Sequence, residues 1–329
     1  MRAKGYGSYR GRSPLKSFLK ILLIVVIVLL VLGAAATFYL QQYLVVSADG
    51  VRLELPFFQA DQDQDGSAPN VITPEAPITV VTPTPTPAPE PQALSPVALH
   101  AQALTDGTAL SQIEAAGGDS ALFDMKPDSS ALNYASSIAL AVSAKQSAAD
   151  ETLNAAIAAL NETQGLYTIA RVSCFKDHDI TNYDRSLSVF TNSGYRWTDP
   201  EGIRWISPTN ADVREYVTAV CVELAQLGFD EILLDNAGYP AEGNLHYIKK
   251  GEAYDSARFA EVVGGFYAQV ASALGEYDVA LSVVTTDQAM SGQDALTGQT
   301  PEDLALVDRL WIRGEDGRLC PVSGENLAP

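Results

Sequence analysis

Short apolar runs alternate with helical patterns from about residue 96 towards the C-terminal end of this chain. The runs are bounded by turn residues and predict six strands, at 96–104, 120–124, 166–172, 231–235, 279–284 and 308–312. Between them, apolar residues at helical spacing predict helices, the strongest of which begins after Pro208 and ends at Gly228. Strands that alternate with helices indicate right-handed βαβ units and a parallel sheet.

The predicted unit has nearly the length of an α/β barrel. Residues 97–329 approach the ~250 residues typical of a TIM-type (β/α) barrel. However, only 16 residues follow Arg313, and two more βα units would need roughly 30 residues each. We therefore predict an α/β fold of the TIM-barrel type that is two strands short at its C-terminal end, closed irregularly, or completed by segments that the pattern does not identify.

An almost uninterrupted apolar run lies near the N-terminus. Residues 21–40 carry no charge and match the ~20 residues that a helix needs to cross the hydrocarbon core. Residues 1–20 hold six basic side chains and no acid, so the positive-inside rule predicts a cytoplasmic tail, a single-pass membrane helix and an extracellular remainder. A cleaved signal peptide is the alternative, since residues 33–36 are small. The apolar run continues to Leu40, which favours an uncleaved anchor.

Residues 41–96 are predicted to separate the membrane from the barrel. Asp49-Gly50 between two alternating runs predicts a short hairpin within 41–60. An acidic stretch followed by nine prolines predicts a semi-rigid linker over 61–96. Beyond residue 20 the chain has 15 basic against 40 acidic residues, which disfavours nucleic acid as a partner. Three widely spaced cysteines predict neither a disulfide framework nor a zinc site, and nothing in the sequence calls for a cofactor.

Charged side chains are predicted at the carboxyl ends of three strands. Period-two alternation places Asp124 and Lys126 on the inner face of the second strand, Arg171 on the third and Asp235 on the fourth. Strand ends build the active sites of α/β barrels, and two carboxylates can perform acid–base chemistry on a glycosidic bond. We predict Asp235 as nucleophile or base and Asp124 as proton donor or stabiliser, with Asp287 in reserve. The alternative is an ion-pair network that only stabilises the mouth of the barrel.

The long connection after the third strand is aromatic. Its two tryptophans can stack on sugar rings, or they can anchor a hairpin over the barrel. The predicted substrate-binding residues are Lys126, Arg171, Trp197, Trp205 and Tyr239.

Four segments, in matching order and spacing, carry a resemblance to a known family: ALFDMKP (121–127), GLYTIARVSCFKD (165–177), GYRWTDPEGIRWISPTNADVREYV (194–217) and GFDEILLDNAGYP (228–240). Residues from about 97 to 313 resemble a bacterial family of glycoside-hydrolase-like domains with a predicted TIM-barrel fold, often tethered behind a membrane anchor. The resemblance implies carbohydrate hydrolysis at the cell surface, and it carries over Asp124, Lys126, Arg171 and Asp235.

The sequence also departs from that family. The family has Tyr-Ile-Arg-Phe-Pro after the fourth-strand aspartate, whereas residues 236–240 read NAGYP and contain no arginine. No acid follows Ser282 closely, and the family's Pro/Tyr-rich segment after the sixth strand is missing. The motif therefore does not identify a second catalytic acid.

Two functions follow from the sequence. The first is a membrane-anchored extracellular glycoside hydrolase that acts on a polysaccharide or cell-wall glycan. The second is a catalytically degenerate barrel that binds a glycan or a protein at the cell surface. The departures from the family favour the second, and the inward charged residues favour the first. A magnesium enzyme is disfavoured, because no third strand-end carboxylate is evident beside Asp124 and Asp235.

Overall fold

This computed structural model describes residues 44–47, 50–53, 94–150 and 152–322. The predicted cytoplasmic tail, the membrane helix at 21–40 and nearly all of the linker lie outside these residues. Within them, no helix combines the length and apolar character that crossing a bilayer requires. The chain divides into two units, residues 1–84 and 85–329. In the first unit, β1 (Leu44–Ser47) pairs antiparallel with β2 (Gly50–Leu53).

The second unit is built from alternating strands and helices. Its strands are β3 (Val97–Leu99), β4 (Ser120–Lys126), β5 (Tyr167–Ser173), β6 (Glu231–Asp235), β7 (Ala280–Thr285), β8 (Arg309–Arg313) and β9 (Leu319–Pro321). Its helices are α1 (Gln102–Thr105), α2 (Ala109–Ala115), α3 (Ala139–Ser143), α4 (Thr152–Asn161), α5 (Ile180–Tyr183), α6 (Ala211–Gln226), α7 (Phe259–Leu274), α8 (Asp287–Met290) and α9 (Pro301–Leu304).

The seven strands form one sheet in chain order, β3-β4-β5-β6-β7-β8-β9. Pairing is parallel from β3 to β8, and β9 runs antiparallel to β8. In the described part of the chain, β3 and β9 are the two edges, so the sheet is a curled α/β half-barrel and not a closed TIM barrel. The six parallel strands agree with the sequence prediction, and the unpredicted β9 stands where further βα units would continue the sheet.

Helices cover the outer face of this sheet. Phe123, Val172, Leu234 and Val283 point outward from successive strands into the main core, where α6 and α7 contribute apolar faces. The inner face holds a separate small cluster of Leu122, Ile169, Leu233 and Trp311. The guanidinium of Arg309 on β8 lies over the ring of Tyr167 on β5, 5.7 Å from its centroid, and contact across three strand positions requires the sheet to curl. Asn210 caps α6 by accepting the N–H groups of Asp212 and Val213.

The first predicted strand, 96–104, is wrong over most of its length. Only Val97–Leu99 is extended, and residues 102–105 form α1. An apolar run of this kind fits a buried helix as well as a buried strand, and periodicity alone does not separate the two.

A bulge in β4 changes the direction of its last residue. Asp124 pairs with Arg171, and Lys126 pairs with Val172, the very next residue of β5. One strand therefore advances two residues while the other advances one, which moves Lys126 from the inner face to the outer face. The prediction that Lys126 points inward is corrected here, because it assumed unbroken alternation.

A buried charged cluster closes the lower part of the inner face. Glu231 is fully buried, and its carboxylate accepts hydrogen bonds from Trp311 Nε1 at 2.8 Å and Tyr167 Oη at 2.9 Å, while Arg309 makes an ion pair with it. Burial and then the neighbouring Glu231 raise the pKa of Tyr167 to about 12, so its phenol remains a donor at neutral pH. The Glu231 carboxylate, the Trp311 indole and the Tyr167 phenol are all hydrogen-bonded within the cluster, which indicates that the cluster has a structural role.

Candidate active site

Arg171 is the centre of the upper inner face. The side chain leaves β5 at the carboxyl end of the sheet, and its guanidinium contacts three carboxylates. Nη1 lies 2.8 Å from Asp124 Oδ1, Nη2 lies 2.8 Å from Asp128 Oδ1, and Nε lies 2.7 Å from Asp235 Oδ2. A planar fork of five donors suits this arrangement, whereas a lysine could not bridge three acids in this way. We call these four residues the central network.

Asp235 is the most enclosed carboxylate of the central network, with 4% of its side chain exposed. Besides Arg171, its Oδ2 accepts Arg313 Nη2 at 2.5 Å, and its Oδ1 accepts the backbone N–H of Asn236 at 2.8 Å. Asn236 adopts the left-handed conformation, with φ of 48°, which asparagine tolerates better than most residues. Both oxygens of Asp235 are therefore already engaged by the protein.

Lys176 extends the charged site from the loop after β5. Its Nζ lies 2.6 Å from Glu201, 3.1 Å from Asp199 and 3.4 Å from Asp128 Oδ2. Burial acts to lower the pKa of Lys176, but the hydrogen bonds that it donates to Glu201 and Asp199 outweigh burial and raise that pKa above its ordinary value. Lys176 is a fixed cation next to the central network.

The environments of Asp124 and Asp128 push their pKa values in opposite directions. Burial raises the pKa of Asp124 above its ordinary value of 3.8, although Arg171 opposes the rise. Burial also acts to raise the pKa of Asp128, but the charge and hydrogen bond of Arg171 and the nearby Lys176 bring it below the ordinary value. Two carboxyl groups whose pKa values are shifted in opposite directions are suited to acid and base roles.

Two cavities meet at the central network and share Asp128, Arg171 and Arg313 in their walls. The first, of about 1050 Å³, lies between the sheet edges β3 and β9 and includes Asp124. The second, of about 650 Å³, is lined by Asp235, Lys176 and Trp205 among others. Cavities of this size accommodate small ligands or a few units of a polymer. Asp128 and Arg171 stand where the two spaces join.

The predicted substrate-binding residues are distributed unevenly around these cavities. Arg171 and Trp205 line them, and Trp205 Nε1 donates to Asp199 at 3.3 Å. Trp197 is only 2% exposed and lines neither cavity, because its Nε1 bonds the carbonyl of Asn244 at 3.2 Å and anchors the loop. Tyr239 reaches the wall of the second cavity with its ring stacked on Phe259, their centroids 3.7 Å apart.

Lys126, the other predicted substrate-binding residue, is held away from both cavities. Its ammonium is buried beneath the loop after β5, 2.7 Å from the carbonyl of Ser173 and 2.8 Å from Asp177, and it lies over the ring of Tyr216. Contact with substrate from this position requires a rearrangement, so the geometry gives Lys126 a structural role. The reserve acid Asp287 begins α8 and lines neither cavity.

Three site residues escaped the sequence analysis. Arg313 shares the inner face with Trp311 by simple alternation along β8, so the signal was present in the pattern. Asp128 and Lys176 lie in loops, where no periodicity indicates direction. Among the described residues, no three acidic, histidine or cysteine side chains form a group that could hold a metal ion, and Arg171 occupies the point where the three aspartates converge.

Comparison with known proteins supports the resemblance seen in the sequence. The profile of the family described as "Putative glycosyl hydrolase domain" matches residues 98–308. A hypothetical protein from Ruminiclostridium thermocellum is similar in structure, with 21% identity, a TM-score of 0.48, and coverage of 57% of this chain and 96% of that one. The search among curated proteins finds no match.

Two glycoside hydrolase domains also give structural matches. The PgaB (BpsB) domain from Bordetella bronchiseptica has 12% identity and a TM-score of 0.47, with 67% of this chain and 74% of that chain covered. A variant of the PelA domain from Pseudomonas aeruginosa has 12% identity and a TM-score of 0.39, with coverage of 72% and 75%.

Proposed function

Because the chain belongs to this glycosyl hydrolase domain family, we propose that it hydrolyses glycosidic bonds in a polysaccharide. The observation that carries the proposal is the convergence of Asp124 and Asp128 on one guanidinium at the junction of two cavities. Hydrolysis of this kind needs one carboxyl group that donates a proton and one that is ionised.

Asp124 is the proton donor in this proposal. Only its Oδ1 is bonded, to Arg171, and 41% of its side chain is exposed towards the first cavity. Its raised pKa keeps the carboxyl protonated to higher pH than a free aspartate, which is what a general acid near neutral pH requires. The inner-face position on β4 directs this group at a bound sugar and not at the core.

Asp128 is the ionised partner. Its side chain is 23% exposed, and its Oδ2 has only the longer 3.4 Å contact with Lys176, so one oxygen is available to a water molecule or a sugar carbon. Asp235, which the sequence indicated for this role, has both oxygens occupied within the protein. We assign Asp235 the role of fixing the orientation of Arg171 and Arg313.

The separation of the two acids fits such chemistry. Each lies 2.8 Å from a different terminal nitrogen of the same guanidinium, which keeps the bonded oxygens no more than about 8 Å apart, whereas glycosidase carboxyl pairs span a range of about 5–9.5 Å. This range includes both stereochemical classes, so product stereochemistry must be measured directly.

The N-terminal sequence supplies the proposed location. A basic tail, an uncharged apolar run at 21–40 and a proline-rich stretch are arranged as in a single-pass anchor with an extended spacer. We place the catalytic unit outside the cell, where cell-wall glycan is the accessible polysaccharide.

A binding module without turnover is the second candidate. It is favoured by the engagement of all three aspartates with Arg171, which could equally serve only to stabilise the strand ends. Release of soluble sugar from labelled cell-wall polysaccharides by the whole chain separates the two functions. We expect release that Asp124→Asn and Asp128→Asn each reduce at least about a hundredfold, with both variants still bound to the polymer.

The matched control is Asp287→Asn, an aspartate outside both cavities. It should release sugar at the wild-type rate. If the wild-type chain binds the polymer without releasing sugar, and all three variants bind equally well, the hydrolase proposal is wrong and the binding module is supported.

A further inference from the structure

The connection after β5 carries a second charged site, formed by Arg185, Arg196 and Arg204. We call it the arginine cluster. Each guanidinium is held by an uncharged oxygen of the same connection: Arg196 Nη1 donates to the Thr181 carbonyl at 2.5 Å, Arg185 donates to the Gly194 carbonyl, and Arg204 donates to the Asn182 side chain. Antiparallel bridges at Arg196 and Arg204 fix the backbone. The three guanidinium groups are therefore held in place by the protein, and most of their N–H donors remain available to a ligand.

No carboxylate among the described residues makes an ion pair with the arginine cluster. The nearest acid in sequence, Asp184, instead accepts the N–H and hydroxyl of Ser186. Arg196 and Arg204 are held by the consecutive residues Thr181 and Asn182, and burial, followed by the charges of Arg204 and Arg185, lowers the pKa of Arg196. Such a concentration of unbalanced positive charge is unusual in a chain of net charge −19.

Exposed aromatic and further basic residues lie on the chain segments that carry the cluster or are bonded to it. Tyr195, 73% exposed, precedes Arg196, and the exposed Tyr183 follows the Asn182 that binds Arg204. The backbone of residues 190–192 is bonded to the segment that carries the exposed Tyr247 and Lys249. Exposed tyrosines can stack on sugar rings, and forked guanidinium groups bind carboxylate or phosphate oxygens.

We propose that the arginine cluster is a binding site for an anionic glycan, a sugar polymer that carries carboxylate or phosphate groups. The guanidinium groups bind the anionic groups, and the tyrosines stack on the sugars between them. A glycan is favoured over a nucleic acid because a polysaccharide is the substrate class of the proposed function, on which this choice of ligand rests, and because the chain belongs to the glycosyl hydrolase domain family. The cluster lies in a loop at the carboxyl end of the sheet, the same end as the central network.

The test measures binding of the whole chain, in a nonionic detergent, to polygalacturonate, to phosphorylated dextran and to neutral dextran of similar length. We expect binding to at least one anionic polymer and none to dextran. The two anionic arms decide whether carboxylate or phosphate is preferred. Arg196→Gln should weaken binding about tenfold or more, the factor expected from loss of a charge-assisted hydrogen bond.

Arg258→Gln is the matched control, since it removes the same exposed charge from a residue already paired with Glu261. It should bind like the wild type. Equal weakening in the two variants, no weakening in either, or equal binding of dextran overturns the proposal. Tighter binding of single-stranded DNA or polyglutamate than of both glycans overturns the assignment to glycan. Because no hydrolysis is measured, the result is independent of the proposed catalytic activity.

Discussion

Replacing Arg171 by methionine should destabilise the second unit, residues 85–329, at neutral pH and much less in acid. The substitution keeps an unbranched stem but leaves three aspartates facing one another without their shared cation. Two of these carboxylates are 4% and 23% exposed, and loss of one partner from a buried ion pair typically costs about 3–5 kcal/mol. Asp124 is 41% exposed, so solvent screening reduces its share to well below that of the buried pair.

The pH dependence follows from the sign of the pKa change. Without Arg171, burial and mutual repulsion raise the folded-state pKa of Asp124 and Asp128 above the unfolded value of about 4. A group of this kind stabilises the fold fully below its unfolded pKa, and the contribution is lost as pH rises through the folded value. The difference between Arg171→Met and the wild type should therefore be largest near pH 7 and smallest near pH 4.

Urea unfolding followed by tryptophan fluorescence measures this difference. The three tryptophans of the chain, Trp197, Trp205 and Trp311, are buried in the second unit, so their emission reports its unfolding. We expect the midpoint at pH 7 to fall by about 1–2 M urea, and Arg258→Met, at an exposed site, to leave it in place. An unchanged midpoint for Arg171→Met would refute the electrostatic account of the central network. So would a difference in stability from the wild type that grows as pH falls towards 4.

Three further predictions test other parts of the unit. Asp124→Asn should abolish the limb of the pH–rate profile in which activity falls as pH rises through the raised Asp124 pKa; a wild-type profile in this variant contradicts the proton-donor role. Glu231→Gln should lower stability by about 3–5 kcal/mol in urea unfolding, whereas Glu261→Gln, at an exposed pair, should leave stability nearly unchanged. Lys126→Met should lower stability and change the dissociation constant for polysaccharide little, because the Lys126 ammonium pairs with Asp177 inside the fold. A large loss of affinity in a stable variant would instead indicate that Lys126 binds substrate.

Alternation along the strands was enough to anticipate the core of the site. On regular strands, period two fixes which side chains share a face, and Asp124, Arg171 and Asp235 are bonded together on the inner face. The same rule failed at Lys126, because a bulge one residue earlier reverses the direction of the side chain. Local sequence carries little signal for such a bulge, since what compensates it is a distant partner, Asp177.

The side-chain directions of loop residues could not be predicted, for a different reason. Asp128 follows the end of β4 and owes its direction to Arg171 and Asn236, which are distant in sequence. The tryptophans of the loop after β5 could not be distinguished from one another by type, yet Trp205 lines a cavity and Trp197 anchors the loop. β9 was not predicted because it is only three residues long and runs antiparallel after a turn at Gly317, with φ of 79°. Its sequence therefore lacks the alternation of strand and helix that identified the other strands.

The charge balance of the site gives an independent reason to assign the proton to Asp124. Five carboxylates, of Asp124, Asp128, Asp199, Glu201 and Asp235, contact three cations, Arg171, Lys176 and Arg313. In a partly dehydrated site, excess negative charge is relieved most easily when one carboxyl group takes up a proton. Asp128 and Asp235 each have two cationic neighbours, and Glu201 is largely open to solvent. Asp124 has Arg171 alone and a free Oδ2, so protonation there breaks the fewest bonds and leaves a proton at the wall of the larger cavity.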